Sequence, residues 1–303
     1  MPAPVIAVVG PTATGKSDLA LDVAELLGGP EAVEAVNADA MQLYRGMDVG
    51  TAKLAPHERR GVAHHQLDVL DVTDEASVAA YQRHARADIA AVHARGRRAV
   101  LVGGSGLYVR AVLDELDFPG TDPELRRRLE ARAEREGTAT LHAELAARDP
   151  VAAAQILPSN TRRVVRALEV VELTGRPFSA TLPKHRYHLP ALQVAIDVPR
   201  EELDRRIAAR ARAMLDGGLL DETRDLLAAG LAKGRTASRA VGYAQAIAVL
   251  EGRMDLDDAH AAITTATRQL ARRQEKWFRR DPRVHWLPPS PALPQRVVDL
   301  LAG

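Results

Sequence analysis

The chain has 303 residues, enough for one large or two modest domains, and its 46% apolar and 27% charged residues are typical of a globular protein. No apolar run approaches the roughly 18 residues of a membrane span, the first residues lack the charged head of a secretory signal, and the absence of cysteine excludes disulfides and thiolate metal sites. We therefore expect a cytoplasmic protein without membrane association, whereas the net charge of +1 does not indicate a partner.

The first 117 residues predict a parallel sheet, because short apolar runs alternate with helical patterns. A first strand is predicted at Val5–Val9, and a second lies within EAVEAVNADAMQLY and ends near residues 37–39. A third is predicted at residues 99–102, where the chain breaks at Gly103 and Gly104 into a helix. The expected fold class is α/β, with a parallel sheet flanked by helices.

Strand patterns disappear between residues 118 and 190. The runs DPELRRRLEARAEREG, TATLHAELAARDPVAAAQI and NTRRVVRALEVVELTG predict three helices, which form an all-helical insertion domain. A strand resumes at residues 192–198, and C-terminal helices follow to about residue 280, the last with Ile263, Leu270 and Trp277 on one apolar face. The run LPPSPALP predicts a closing coil. The predicted parts are thus residues 1–117, 118–190 and 191–303.

The residues after the first strand carry a phosphate-binding pattern. GPTATGKS matches G-x-x-x-x-G-K-[ST] between a strand and a helix, where loop amides and the helix N-terminus surround an anion. Lys16 would neutralise the phosphate and the Ser17 hydroxyl would bind Mg²⁺. The predicted phosphate-binding residues of this P-loop are Gly10, Pro11, Thr12, Ala13, Thr14, Gly15, Lys16 and Ser17. The pattern alone does not say whose phosphate is bound.

An acidic side chain is missing where a nucleotide-hydrolysing P-loop protein needs one, because the third strand, AVLVGG, ends in glycines. The second strand instead delivers Asp39 to the carboxyl edge of the sheet, where ligands of α/β proteins bind. There Asp39 could bind metal or accept a proton from a nucleophile, or it could only cap a loop. Ser105, in GGSG, could donate to a leaving oxygen, although its spacing favours a helix cap.

Histidines and arginines give weaker signals. His64 and His65 are adjacent, and since adjacent imidazoles point in different directions, a structural or substrate-shaping role is favoured over a metal pair. Basic residues cluster outside the sheet, notably six in TRQLARRQEKWFRRD at 267–281. Any one cluster could be a solvated face, but several beside a phosphate pocket fit a polyanionic partner.

Together these strings resemble the tRNA dimethylallyltransferase (IPP transferase) family over nearly the whole chain. The matching strings are GPTATGKS, NADAMQLYRGMDVGTAK, GVAHHQLDVLD, VGGSGLYVRA, RRVVRALEVVELTGRP, AVGYAQAI and TRQLARRQEKWFRRD. The resemblance implies transfer of a dimethylallyl group from dimethylallyl diphosphate to N6 of adenosine 37, which lies 3′ of the tRNA anticodon. The P-loop would then hold the departing diphosphate with Mg²⁺, and the target base would leave its stack.

The same resemblance implies roles for individual residues. Asp39 matches the general base, Lys16 and Arg210 are assigned to the diphosphate, and Ser105, where threonine is usual, to the leaving group or the target nucleotide. Ala40 replaces a usual serine, and Asn160-Thr161 replaces a usual Asn-Asp pair at a helix start. The implied tRNA-contacting residues are Asp39, Ala40, Met41, Gln42, Ser105, Arg126, Arg162, Arg163, Val164, Val165, Arg166, Arg239, Ala240, Val241, Gly242, Tyr243 and Ala244.

Three other interpretations stay open. An ATP-dependent nucleotide or metabolite kinase would use the P-loop, although the missing strand-end acid and the basic helices count against it. An adenylate isopentenyltransferase shares the chemistry, but the helical insertion and the basic C-terminal helix favour a macromolecular acceptor. A non-enzymatic RNA-binding scaffold would not explain the P-loop lysine and hydroxyl. We expect a monomer whose partners are the tRNA anticodon stem-loop and dimethylallyl diphosphate.

Overall fold

The computed structural model describes residues 3–181 and 185–302, which belong to two units. The chain up to Leu113 and from Tyr187 onward forms one, which we call the core unit, and Asp114–Arg186 forms the other, the helical unit. The sequence placed these boundaries at residues 118 and 190.

Within the described residues of the core unit, six parallel strands form one sheet in the order β3-β2-β4-β1-β5-β6. The strands are β1 (Val5–Val9), β2 (Val33–Asn37), β3 (His64–His65), β4 (Arg98–Gly103), β5 (Ala191–Ile196) and β6 (Val284–Leu287). All five residues of β1 and of β2 are buried, as expected for parallel strands covered on both faces. Four of these strands were predicted, and the short edge strands β3 and β6 were not.

Helices cover both faces of the sheet. In chain order the helices are α1 (Lys16–Leu26), α2 (Val78–Ala94), α3 (Gly106–Leu113), α4 (Pro123–Glu136), α5 (Thr138–Arg148), α6 (Pro150–Gln155), α7 (Thr161–Thr174), α8 (Arg200–Asp216), α9 (Leu219–Ala228), α10 (Tyr243–Leu250), α11 (Leu256–Phe278) and α12 (Leu293–Ala302). Side chains of β1 alternate between two cores, so that Val5 and Val9 pack with α2 and α3 while Ile6 and Val8 pack with α1 and α12. The predicted α/β class is confirmed.

The C-terminal region differs from the expectation of a closing coil. β6 pairs with β5, and after a short break α12 begins at Leu293, whose side chain is buried with Val297 against α1. Pro294 lies in the first turn of α12, where proline does not interrupt helical hydrogen bonds. The proline-rich run therefore only separates two elements. No helix among residues 3–181 and 185–302 is long and apolar enough to cross a membrane.

The helical unit contains α4 to α7 around an apolar centre that includes Leu129, Leu141 and Leu168. The second predicted helix is divided, because Asp149 ends α5 and caps α6 by accepting from the Ala152 amide at 3.0 Å. Asn160 caps α7 by accepting from the Arg163 amide, so the helix start survives the departure from the usual Asn-Asp pair.

Candidate active site

The strand order brings three loops together at the carboxyl edge of the sheet. β2, β4 and β1 are neighbours, so the turn containing Asp39, the GGSG turn and the P-loop lie side by side. Backbone bonds join the first two, since Ala38 N donates to Val102 O and Ser105 N donates to Ala38 O. Residues far apart in the chain thus meet where ligands of open α/β sheets bind.

The P-loop has the backbone shape of an anion cradle. Gly10, Ala13 and Gly15 have positive φ angles of 120°, 63° and 91°, and α1 begins immediately afterwards at Lys16. Within the described residues no side chain caps the N-terminus of α1, so its first amides point toward a ligand position without a protein acceptor. In this protein Lys16 Nζ donates to the Pro11 carbonyl.

Two cations and one carboxylate share this site. Burial lowers the pKa of Lys16 to about 8, a shift that the Asp39 carboxylate opposes and the Arg210 guanidinium reinforces. Burial also lowers the pKa of Arg210, whose Nη1 and Nη2 donate to Thr12 Oγ1 at 3.4 Å and to Thr51 O at 3.1 Å. Withdrawing two cations from water beside one carboxylate leaves excess positive charge, which an anionic ligand would neutralise.

The Asp39 side chain is held in one orientation. Asn37 accepts from the Asp39 amide and donates to the Asp39 carbonyl, both at 2.9 Å, while Asp39 Oδ1 accepts from the Met41 amide at 2.9 Å. Ser105 Oγ accepts from the Ala40 amide at 3.1 Å, so this side chain joins two loops, whereas its spacing had favoured a helix cap. The arrangement commits Oδ1 to the turn, and Asp39 also lines the adjoining cavity.

A cavity of about 260 Å³ opens beside these groups. Thr12, Asp39 and Arg210 supply its polar side. Its apolar walls come from two helix faces with helical spacing, α8 with Ile207, Ala211 and Met214, and α11 with Ile263, Thr267 and Leu270. The site therefore combines an anion cradle, a carboxylate and an apolar chamber.

The residues present fit a hard cation such as Mg²⁺ that is held mainly by its ligand. Ser17 places a half-buried hydroxyl in the first turn of α1, and the Asp39 carboxylate lies in the same site. No cluster of three or more His, Cys, Asp or Glu side chains in the described part of the chain could hold a metal alone. This suits an ion that takes one or two protein oxygens and completes its shell with water and phosphate oxygens.

Comparison with known proteins places the chain in a family. A family model described as IPP transferase matches residues 42–281. The chain belongs to this family. A tRNA dimethylallyltransferase from Kineococcus radiotolerans is 59% identical over 98% of this chain and 96% of the relative, and one from Streptomyces coelicolor is 61% identical over 94% and 91%. The predicted family is confirmed.

Solved structures in the IPP transferase family share the fold. The full-length tRNA isopentenylpyrophosphate transferase from Bacillus halodurans is 36% identical, has a TM-score of 0.69, and is matched over 99% of this chain and 94% of that one. A eukaryotic dimethylallyltransferase acting on tRNA is 26% identical, with a TM-score of 0.81 over 94% and 74%.

The arginines predicted to contact tRNA in the helical unit have two different environments. Arg126 and Arg166 both pair with the fully buried Glu169, at 2.7 and 2.8 Å. Although burial raises the pKa of Glu169, these two arginines hold it below its usual value. Arg162 and Arg163 are exposed, and neither has an ion pair among the described residues. The second pair is thus available to a polyanion, whereas the first stabilises the unit.

Val164 and Val165 correct the predicted contact set. Both side chains are buried in the helical core, at 0% and 2% exposure, so they offer no side-chain surface to RNA. The two valines were included in the predicted contact segment because they lie between Arg163 and Arg166 in the sequence of α7.

Residues 239–244 contribute to the cavity in part. Arg239 is exposed and lines the cavity together with Ala240 and Val241. Tyr243 is fully buried, and its hydroxyl donates to the Glu222 carboxylate at 2.6 Å. Burial raises the pKa of Tyr243, and the neighbouring Glu222 carboxylate raises it further. Its side chain is therefore structural.

The two histidines have structural partners. His64 Nδ1 lies 2.8 Å from Val62 O, and His65 Nε2 lies 2.6 Å from the buried carboxylate of Glu34, which also binds Arg95 and Arg97. Both histidines sit on β3 at the sheet edge. This agrees with the structural alternative of the sequence analysis.

Three residues whose hydrogen bonds hold the loops of this site were not identified from the sequence. No role was predicted for Asn37, and Gln274 lies in a segment whose basic and apolar residues were the visible pattern. Glu222 accepts from the amides of residues 48, 49 and 50 and thereby holds the turn that carries Thr51 against Arg210. Of the three, only Asn37 had a local signal in the sequence, because an asparagine at the end of a strand and two residues before an aspartate commonly holds the following turn.

Proposed function

We propose that the protein transfers a dimethylallyl group from dimethylallyl diphosphate to N6 of the adenosine 3′ of the anticodon, adenosine 37, in tRNA. Membership of the IPP transferase family supports the reaction class. The observation that carries the proposal is one carboxylate, Asp39, lining a partly apolar cavity beside a P-loop with two partly desolvated cations. A phosphate site of this kind without a strand-end acid suits a leaving diphosphate.

The P-loop holds the diphosphate of the donor. The first amides of α1, Lys16 and Arg210 bind its oxygens and stabilise the negative charge that grows on the bridging oxygen as the C1–O bond breaks. Mg²⁺ held through Ser17 would neutralise further charge on the diphosphate. Arg210 is already held by Thr12 and Thr51 before the donor arrives, whereas Lys16 would leave the Pro11 carbonyl to bind the diphosphate.

The apolar walls of the cavity receive the prenyl chain. Ala211 and Met214 follow Arg210 on α8, so a donor whose diphosphate contacts Arg210 has its carbon chain beside them. Apolar walls also exclude water, which would otherwise capture the allylic cation character at C1.

The adenine amine completes the reaction at C1. N6 forms a bond to C1 as the C1–O bond breaks, diphosphate departs, and the proton lost from N6 passes to Asp39 Oδ2. The base must be unstacked for its N6 to reach C1 inside the cavity. Arg239, exposed beside the same cavity, is placed to bind a nearby phosphate.

The experiment that tests this function supplies labelled dimethylallyl diphosphate and Mg²⁺ with either an anticodon stem-loop or AMP. We expect label in the stem-loop, which is lost when adenosine 37 is replaced by guanosine. Label in AMP alone would assign the chain to adenylate prenylation, and consumption of ATP in a parallel reaction without prenyl transfer would support a kinase.

Donor binding is expected to weaken as the pH rises above about 8. In the free protein the lowered pKa of Lys16 means that its ammonium is present at pH 7 and lost at pH 9, while a bound diphosphate favours the protonated form. The dissociation constant of dimethylallyl diphosphate should therefore be flat near pH 7 and rise toward about tenfold per pH unit above pH 8. Calorimetric titration at fixed Mg²⁺ measures it.

Lys16→Arg is the control, because arginine keeps its charge throughout this pH range. The variant should show a much smaller rise in the dissociation constant. An equal rise in both proteins would assign the effect to the ligand or the metal instead of Lys16.

Arg162→Glu is expected to weaken tRNA binding about tenfold or more and to reduce the salt dependence of binding, because an exposed cation without a protein partner is replaced by an anion. Binding of dimethylallyl diphosphate should be unchanged. Fluorescence anisotropy of a labelled stem-loop at several salt concentrations measures both quantities. Arg296→Glu makes the same charge change on an exposed residue of α12, and an equal loss there would refute a specific contact at Arg162.

A further inference from the structure

Gln274 lies between the two loops that carry the chemistry. It is on α11, half-buried, and its side chain uses both ends of its amide. Oε1 accepts from the Thr12 amide of the P-loop at 2.9 Å, and Nε2 donates to the Gly104 carbonyl of the GGSG turn at 3.0 Å. One side chain therefore bridges strands β1 and β4 beyond the point where their ladder ends.

The bridge extends to the general base. Ser105 follows Gly104 and accepts from the Ala40 amide, and Ala40 follows Asp39. On the other side, Thr12 accepts from Arg210, the guanidinium placed for the diphosphate. Four hydrogen bonds, joined by short stretches of backbone, thus connect Arg210 with the turn that carries Asp39.

The local packing is built around an amide at this position. A Cβ on Gly104 would lie 2.4 Å from Gln274 Nε2, so a larger residue there would displace the end of the Gln274 side chain. A carboxylate could still accept from Thr12, but it would present an acceptor to the Gly104 carbonyl. An apolar side chain of the same length would leave both backbone groups without this partner.

We propose that Gln274 is a positioning residue that sets the separation between the departing diphosphate and Asp39. The inference rests on the proposed prenyl transfer. Bond making at C1, bond breaking toward the P-loop and proton removal by Asp39 must occur in one geometry, and Gln274 fixes the two loops that define it. Its loss should slow the chemical step while leaving each substrate bound by its own contacts.

The test compares Gln274→Met, which removes both hydrogen bonds at similar length, with Gln274→Glu, which keeps only the acceptor for Thr12. Single-turnover transfer to the anticodon stem-loop is measured with both substrates saturating, and the dissociation constants of donor and stem-loop are measured separately. We expect the transfer rate of Gln274→Met to fall about 100-fold with both of its dissociation constants within about threefold of wild type. The rate of Gln274→Glu should also fall, because its carboxylate opposes the Gly104 carbonyl.

Gln269→Met is the matched control, because Gln269 is exposed on the same helix, and it should transfer at the wild-type rate. Transfer by Gln274→Met within about threefold of wild type would overturn the inference. So would a loss of rate fully explained by weaker binding or by a lower melting temperature. If the wild-type chain itself formed no prenylated stem-loop, the proposed function would fail instead, which distinguishes the two.

Discussion

Asp39→Asn is expected to lower the rate of prenyl transfer by about 10²–10⁴-fold, the usual contribution of a positioned general base. Asparagine keeps an oxygen that can accept from the Met41 amide, so the turn after β2 retains its shape. It cannot take a proton from N6, however, because a neutral amide has no basic oxygen. Both substrates should still bind at pH 7.

Binding must be compared at pH 7 because Asp39 also acts on Lys16. The carboxylate raises the pKa of that ammonium, so its removal lowers the pKa of Lys16 further and would weaken donor binding near pH 8. Single-turnover rates and the two dissociation constants separate the effects. Asp71→Asn makes the same change at an exposed residue paired with Arg45, and it should leave transfer unchanged. A rate for Asp39→Asn within threefold of wild type would remove Asp39 from the proton transfer.

Local sequence patterns predicted those strands in which every residue is buried. β1 was predicted with its observed bounds because an entirely buried strand is a continuous apolar run followed by glycine. β3 has only two residues and carries no periodicity, and β6 is a four-residue edge strand with an exposed histidine. Neither is distinguishable from a loop without its neighbour, since an edge strand is defined by the partner that it pairs with.

Some residues of the candidate site could be predicted from their neighbours in the sequence, whereas others are defined by contacts between distant parts of the chain. The P-loop is contiguous, and Asp39 follows a strand end, so both were predicted from residues alone. Arg210 entered only through the family resemblance, because its contact with Thr12 joins residues 198 positions apart. The bond from Thr12 to Gln274 spans 262 positions, and no pattern in one sequence encodes such a contact. For Ser105, the local spacing suggested a helix cap. In the folded chain its hydroxyl oxygen instead accepts a hydrogen bond from the Ala40 amide, 65 positions away.

Charge explains why this site is arranged as a receptor for an anion. Arg210 bonds only to neutral oxygens, a hydroxyl and a carbonyl, and has no ion pair within 4 Å among the described residues. A half-buried guanidinium without a carboxylate partner is a cost to the folded protein. Such a cost is typical of sites whose partner is the ligand, and it predicts opposite effects on stability and activity.

Arg210→Met is accordingly expected to lower the rate of transfer about 10²–10³-fold, the range found when a donor to developing negative charge is removed. The dissociation constant of dimethylallyl diphosphate should also rise, since in the proposed reaction the guanidinium binds the diphosphate before as well as during its departure. The melting temperature should be unchanged or higher, because methionine fills the same space between α8 and the P-loop without a desolvated charge. Single-turnover kinetics and thermal melting without ligand measure the two quantities.

Arg206→Met is the control that separates the effect of the position of Arg210 from the effect of its charge. Arg206 lies one turn earlier on α8, is exposed and pairs with Glu202, so its replacement removes the same charge from the same helix without touching the P-loop. It should transfer at the wild-type rate. A similar loss of rate in both variants would show that α8 acts through its overall charge, and a full rate in Arg210→Met would mean that Lys16 and the amides of α1 hold the diphosphate unaided. With the expected outcome, the stability lost to an unpaired guanidinium in the free protein is recovered when the donor binds.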